Sequence, residues 1–332
     1  MTFCHVRKRL LAVVSMTCAA LALTGPAIAA DFPYVDDNCG ITNVYEKAPE
    51  HAVTLSNNAT ELMLALGLQD HMAGTSYMAA LKISPQYSEA YNAVPVLSPL
   101  VATTEQLVDA NADFVYAGYP DGFSESRHSR AQLQDLGMKT HLNPEGCNLG
   151  KFGFDGLFDE IRSIAGIFGV PGRGDALIDA ISERLDAIDA KLAGADAVPV
   201  FIFNGGESAP NAVLGNAMLS DVVKRAGGRN IFGDVDNRFG QVSWEQVADR
   251  NPEAIVVFYS GTAGGKVVAD PDAALGQARI DILKATPTIA GTSAIENGQF
   301  IPISSVLGQP GPSSIDAVER LARAFHPDVF AD

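Results

Sequence analysis

The sequence predicts an α/β protein of two lobes, each with a mainly parallel sheet and flanking helices, joined by one long helix. Three observations predict it. Strand and helix patterns alternate through the first half, part of that scheme recurs in the second half, and two helical patterns stand back to back between them. Short buried strands alternating with helices imply a sheet covered on both faces. Two such units around a rigid helix leave a cleft where the carboxyl-end loops of the sheets face one another. The expected division is residues 1–29 as an export signal, 30–153 as an N-terminal lobe, 154–194 as central helices and 195–332 as a C-terminal lobe.

The signal reads from its chemistry. Arg7-Lys8-Arg9 is the basic end, Leu10 to Leu23 the apolar run, and Ala27-Ile28-Ala29 a small-x-small cleavage site. The apolar run is shorter than the ~20 residues of a membrane span. Thr17 stands before Cys18, where a lipoprotein site requires Ala or Gly. The expectation is an exported protein beginning near Ala30, neither lipid-anchored nor inserted in a membrane. The whole chain carries a net charge of −16; without the three basic residues of the signal, 20 Lys and Arg face 39 Asp and Glu. A surface so acidic repels nucleic acid and anionic lipid. Of four cysteines, Cys4 and Cys18 leave with the signal, so Cys39 and Cys147 are expected to form a disulfide in an oxidising compartment.

In the first half, Val53–Ser56 reads as a buried strand, and Thr60 as the cap of a helix ended by Gly67. Met72–Ser76 is a second strand, Thr103-Thr104-Glu105 opens a short helix, and Phe114–Gly118 is a third strand. Arg130–Leu136 is a helix closed by Gly137, followed by strand Lys139–Leu142. In the centre, Phe154, Leu157, Phe158, Ile161, Ile164, Ala165 and Phe168 recur at helical spacing, then Gly169–Gly174 interrupts. A second pattern restarts at Asp175 and carries Ile178, Ile181, Leu185, Ile188 and Leu192. At 1.5 Å per residue, about 20 residues of helix span roughly 30 Å, enough to bridge two lobes.

The repeat is gapless. Residues 103–119 lie over residues 243–259 with Glu, Gln, Asp, Asn and the final Tyr identical, and Thr60–Gly67 matches Ser220–Gly227 in helix-cap chemistry. Glu105 and Glu245 are thereby paired, each behind a Thr or Ser cap. A carboxylate in a first turn gains ~0.3–1 kcal/mol from the helix dipole. That explains an acid at either site but not their equivalent placement on two lobes.

Several runs resemble a known family. Asp36-Asp-Asn-Cys-Gly40, Ala48-Pro-Glu-His-Ala-Val-Thr-Leu-Ser56 and Ala59-Thr-Glu-Leu-Met-Leu-Ala-Leu-Gly67 are similar to the opening of periplasmic binding proteins of the ferric-siderophore and cobalamin type. So are Ala226–Phe232, Val242–Val247, Asn251–Ile255 and the tail Pro310–Ala322. The resemblance implies a monomeric periplasmic protein with two lobes on one long helix and little hinge movement. It implies delivery of a small-molecule ligand, a chelate or tetrapyrrole-like ring, to an ABC permease. It also implies that Glu105 and Glu245 dock onto arginines of that permease. An iron(III)-siderophore is the first ligand expected; cobalamin, haem or a deazaflavin-cofactor precursor are the alternatives, the last because Gly206-Glu-Ser-Ala-Pro210 resembles that group.

Loops following the strands carry the expected ligand contacts Tyr77, Tyr119, Phe123, Arg238, Trp244 and Tyr259. Aromatic rings stack on a flat ligand, and a guanidinium bonds its oxygens in a planar fork. No bound metal and no resident cofactor are expected, since His51, His71, His128, His141 and His326 show no ligand spacing. His128 reads as a surface residue. Haem would need an axial Tyr or His, which Tyr77, Tyr119 or Tyr259 leaves open. An enzyme is not expected. Ser260–Val267 resembles a phosphate loop, but Val267 stands where magnesium needs Ser or Thr, and there is no G-x-S-x-G elbow. The different-class alternative is an exported hydrolase.

Overall fold

The computed structural model describes residues 1, 32–77, 83–263, 266–267 and 272–331, so the expected export signal beyond its first residue lies outside the described residues. The chain enters through an antiparallel ribbon of β1 (Tyr34–Asn38) and β2 (Ile41–Tyr45), whose tight turn holds Cys39 and Gly40 at φ 53° and 78°. Neither strand is legible as part of a parallel sheet, and they belong to none. Cys39 at the ribbon tip is bonded to Cys147, with Cα atoms 5.5 Å apart. The expected disulfide is therefore present. It spans 108 residues, worth about 4–5 kcal/mol by chain entropy and less where the native state is strained. Thiol titration of denatured, unreduced protein lacking the signal should find no free thiol; two titratable thiols would refute the pairing.

The first lobe is a five-stranded parallel sheet in the order β5-β4-β3-β6-β7, where β3 is Ala52–Thr54, β4 Met72–Ser76, β5 Val96–Ser98, β6 Phe114–Ala117 and β7 Lys139–Leu142. The first helix begins at Asn57 behind Ser56, not at Thr60. Thr60 is spent elsewhere: its hydroxyl lies 2.7 Å from those of Thr54 and Thr75 and donates to the Ser56 carbonyl, stitching the helix onto the sheet. The second lobe has β8 (Val198–Phe203), β9 (Asn211–Val213), β10 (Gly228–Asn230), β11 (Phe239–Gln241) and β12 (Ala254–Tyr259), then the short ribbon β13 (Thr262–Ala263) and β14 (Lys266–Val267), and β15 (Phe300–Ser304). Its sheet runs β11-β9-β8-β12-β15, with β10 beside β8; β8, β10, β12 and β15 are parallel, while β9 and β11 form an antiparallel edge. Ser260–Val267 therefore leads into a small ribbon, not from a strand into a helix as a phosphate loop must.

The repeat holds in three dimensions. Helices Thr104–Asp109 and Trp244–Arg250 each open with a capping box, Thr103 with Gln106 and Ser243 with Gln246. Each box satisfies two backbone donors that a helix start leaves open. Both helices are followed by an Asn in the left-handed region, Asn111 at φ 52° and Asn251 at 38°, and then by a central strand, β6 or β12.

Between the lobes, helix Phe154–Ile167 buries Phe154, Leu157, Ile161, Ile164 and Ala165, the expected stripe. The long helix runs Pro171–Lys191, starting four residues before Asp175. Proline at its first position loses no hydrogen bond and is preset for the helix. Gly174 lies inside because the two helices touch there: a Cβ would come 2.7 Å from that of Ala165. Arg173 at the helix start donates to the carbonyls of Leu66 and Gly67 in the first lobe, at 3.1 and 3.0 Å. Farther along, Arg184 pairs with Asp316 and Glu319, and Asp189 with Arg225, all in the second lobe. One rigid element is thus tied at both ends. Among the described residues no helix is long and apolar enough to cross a membrane.

Candidate ligand cleft

Parallel strands put their carboxyl-end loops on one side of a sheet, and here those loops meet between the lobes. Tyr77 directly follows β4 at φ +65°, a conformation that costs a bulky L-residue ~1–2 kcal/mol. Its N–H is held by the carbonyls of Ser98 and Leu100, at 3.3 and 3.1 Å. Such local strain concentrates at ligand sites. The Tyr77 ring stands edge-on to that of Tyr119, with centroids 6.1 Å apart. Tyr119 follows β6 and is half-buried. Burial pushes its hydroxyl above the ordinary range; the fields of Tyr77 and Glu145 add to this, and that of Arg238 opposes it. Two of the expected aromatics and the expected cation therefore share one neighbourhood.

Glu145 was not foreseen. It lies in the turn Pro144–Cys147, next to the disulfide, and is 3% exposed. One carboxylate oxygen accepts from the Met218 N–H and the other from Arg238 Nη2, both at 2.6 Å. These bonds cross from one lobe to the other. Arg238 is consequently a paired cation whose charge a ligand reaches only by competing with Glu145. Further contacts between the lobes come from the first helix: Glu61 accepts from Ser313 Oγ at 2.5 Å, as well as from the Ser84 N–H of its own lobe at 2.9 Å, and Asn58 Nδ2 donates to the Pro310 carbonyl at 3.0 Å. Burial raises the Glu61 carboxyl above its usual range, against the lowering effect of these bonds. Gly118 is required here: a Cβ would sit 2.0 Å from Asn58 Oδ1. None of these interlobe contacts has a sequence signal, because the partners are separated by up to 252 residues.

The other expected contacts sit differently. Trp244 is 7% exposed and packs among Phe201, Phe203 and Val247 in the core of the second lobe, a correction to its expected place against a ligand. Its apolar ring is drawn inward as the first residue of an amphipathic helix, while Nε1 donates to the Glu207 carbonyl at 3.0 Å and fixes the loop after β8. Tyr259 is 5% exposed at the end of β12, with its ring beside Gly276. Phe123 packs against the first-lobe core beneath the Arg130 guanidinium, 5.7 Å from the ring centroid. His128, read as a surface residue, is 1% exposed, with Nδ1 3.3 Å from Thr104 Oγ1. Burial lowers its pKa. Glu105 and Glu245 are both exposed, each the second residue of its capped helix.

Two other features compete for attention. His141 bonds Asp36 at 2.9 Å and Glu160 at 3.0 Å, partners a catalytic histidine would have, but it is 1% exposed and carboxylates occupy both ring nitrogens. A separate concavity of about 940 Å³ opens beside β10 and the start of the Phe154–Ile167 helix. Its free cations, Lys151, Lys224 and Arg229, are exposed and solvated, and none of the cleft residues above lines it. Among the described residues no three His, Cys, Asp or Glu side chains are grouped to hold a metal.

The sequence from residue 53 to 307 matches the model of a periplasmic binding protein family. The chain belongs to that family. A curated cobalamin-binding protein of Halobacterium salinarum is 24% identical over 329 residues, covering 94% of this chain and 82% of the relative. A periplasmic binding protein from Veillonella parvula superposes with a TM-score of 0.78 at 27% identity, over 89% of this chain and 97% of that one. A protein of an ABC-type Fe3+-hydroxamate transport system from Saccharomonospora viridis superposes with a TM-score of 0.73 at 23% identity, over 89% and 99%. This last likeness concerns the fold alone.

Proposed function

We propose that the protein is the substrate-binding component of an ABC importer. It captures one rigid metal chelate or ring-shaped ligand between its lobes, acts as a monomer, and hands the ligand to a membrane permease through Glu105 and Glu245. The observation that carries this reading is the duplicated placement of the two acids: the same exposed second position of the same capped helix, once in each lobe. A cleft lined by Tyr77 and Tyr119 suits a broad, partly conjugated ligand. An iron(III)-siderophore is the first reading. Cobalamin is the second, favoured by the name of the Halobacterium relative. Thermal shift against a neutral ferric trihydroxamate, ferric citrate, cyanocobalamin and haem tests the reading. The true class, present at ~100 times its Kd, should add about 2.7 kcal/mol of stability. No shift with any of the four would sink it.

A further inference from the structure

One arginine of the second lobe has a buried guanidinium nitrogen that meets no partner among the described residues. Arg130 donates to Thr140 and Asn38; Arg184, Arg225, Arg238 and Arg250 all pair with carboxylates. Arg279, second residue of helix Ala278–Lys284, has no hydrogen bond and no ion pair among the described residues, and its Nη1 is shut off from solvent. The residue as a whole is partly exposed, but a guanidinium N–H closed off from water without an acceptor is costly. Burial lowers its pKa.

Its position gives the missing partner a place. The guanidinium lies against Gly205, where an added Cβ would be 3.4 Å from Nη2 and 3.5 Å from Cζ. Gly205 and Gly206, at φ +107° and +94°, leave the carboxyl end of β8 in a conformation that favours glycine. That loop is closed by bonds between the Asn204 N–H and the Asn211 carbonyl, and between the Asn211 N–H and the Gly205 carbonyl, at 2.8 and 2.7 Å. Trp244 Nε1 pins it at Glu207. The side-chain oxygen of Asn211 is also buried without a donor. A rigid glycine loop and a guanidinium with an unpaired Nη1 thus adjoin at the end of a parallel strand, the position where open α/β sheets bind ligands.

We propose that Arg279 is the charge-pairing residue of the cleft, and that the ligand presents anionic oxygens, such as the carboxylates of a ferric chelate or a porphyrin, to the second lobe. This rests on the substrate-binding reading and narrows it. Arg238 already has Glu145, whereas Arg279 offers a planar donor fork whose Nη1 has no acceptor among the described residues. An uncharged corrin or trihydroxamate leaves that fork unsatisfied and is disfavoured.

Isothermal titration of the native protein and of Arg279→Gln with haem, ferric citrate, cyanocobalamin and a neutral ferric trihydroxamate tests it. The native protein should bind one of the two anionic probes most tightly. Arg279→Gln should weaken that probe at least about tenfold, while its ligand-free melting temperature stays equal to or above the native value, since a partly desolvated charge with an unsatisfied donor has gone. A lower ligand-free melting temperature would make Arg279 a structural residue and overturn the proposal. A native preference for a neutral probe, or unchanged anion affinity in Arg279→Gln, overturns it too while leaving the substrate-binding reading intact. Binding of no probe defeats both.

Discussion

Glu160→Ala should lower stability by about 3–5 kcal/mol, the cost of breaking a buried ion pair by removing one partner. Glu160 is 1% exposed and accepts from the Tyr116 hydroxyl at 2.5 Å while bonding His141 at 3.0 Å. His141 also bonds Asp36 in β1, and Asp36 accepts from Ser163 Oγ at 2.8 Å. The set therefore joins the entry ribbon, β6, β7 and helix Phe154–Ile167. Without Glu160, the tyrosine hydroxyl loses its acceptor and a buried imidazolium keeps only one counter-charge. The melting temperature should fall by roughly 10 °C.

The same cluster sets a pH dependence. Burial by itself would depress the His141 pKa, but the charge of Glu160 and the bonds to Asp36 and Glu160 outweigh it and raise the value to about 9. A pKa raised above its unfolded value of ~6.5 stabilises fully below that value and is lost as pH rises through 9, here on the order of 3 kcal/mol. Asp36 acts in the opposite sense. Burial works to raise its pKa, yet the His141 bond and charge leave it below the usual value, so its contribution is lost in acid. Guanidinium unfolding from pH 6 to 10 should show an alkaline decline steeper in the native protein than in Glu160→Ala. Parallel declines would mean that His141 is not held as an imidazolium.

What could be read from the sequence was whatever depends on local spacing. The apolar stripe of helix Phe154–Ile167, the capping boxes at Thr103 and Ser243, and the Cys39–Cys147 pair are all local patterns or arithmetic on few residues. Boundaries failed where tertiary contact overrode local chemistry. Thr60 looks like a cap but bonds into a threonine cluster, and the glycines after Gly169 look like a break but allow two helices to touch at Gly174 and Ala165. Of the expected ligand contacts, Tyr77, Tyr119 and Arg238 lie near one another, but pairing of Arg238 by Glu145 spans 93 residues and leaves no trace in either segment. Trp244 carries no mark in the sequence to say whether its ring turns into the core or toward the cleft. That Arg279 Nη1 meets no partner among the described residues is a property of its surroundings and leaves no mark in the sequence.

Glu105→Ala with Glu245→Ala should abolish most transport while sparing the cleft, the second large effect expected. Both carboxylates are exposed on helix starts, and both helices keep their capping boxes without them. The loss of two first-turn charges costs no more than about 1–2 kcal/mol. Charged contacts at an interface govern encounter and orientation, so removing them slows productive docking without touching a remote ligand site. Arginine at both positions should be worse than alanine, since like charges would then face one another.

Uptake through the reconstituted permease, measured alongside ligand affinity, tests the central claim directly. With whichever ligand stabilises the native protein, the double alanine variant should bind within about twofold of native affinity. Its uptake should fall by about an order of magnitude or more. Native uptake by the variant would reduce the two glutamates to helix-end residues, and loss of ligand affinity would place them in the cleft; either result contradicts the account of a binding protein that delivers its cargo through one acid on each lobe.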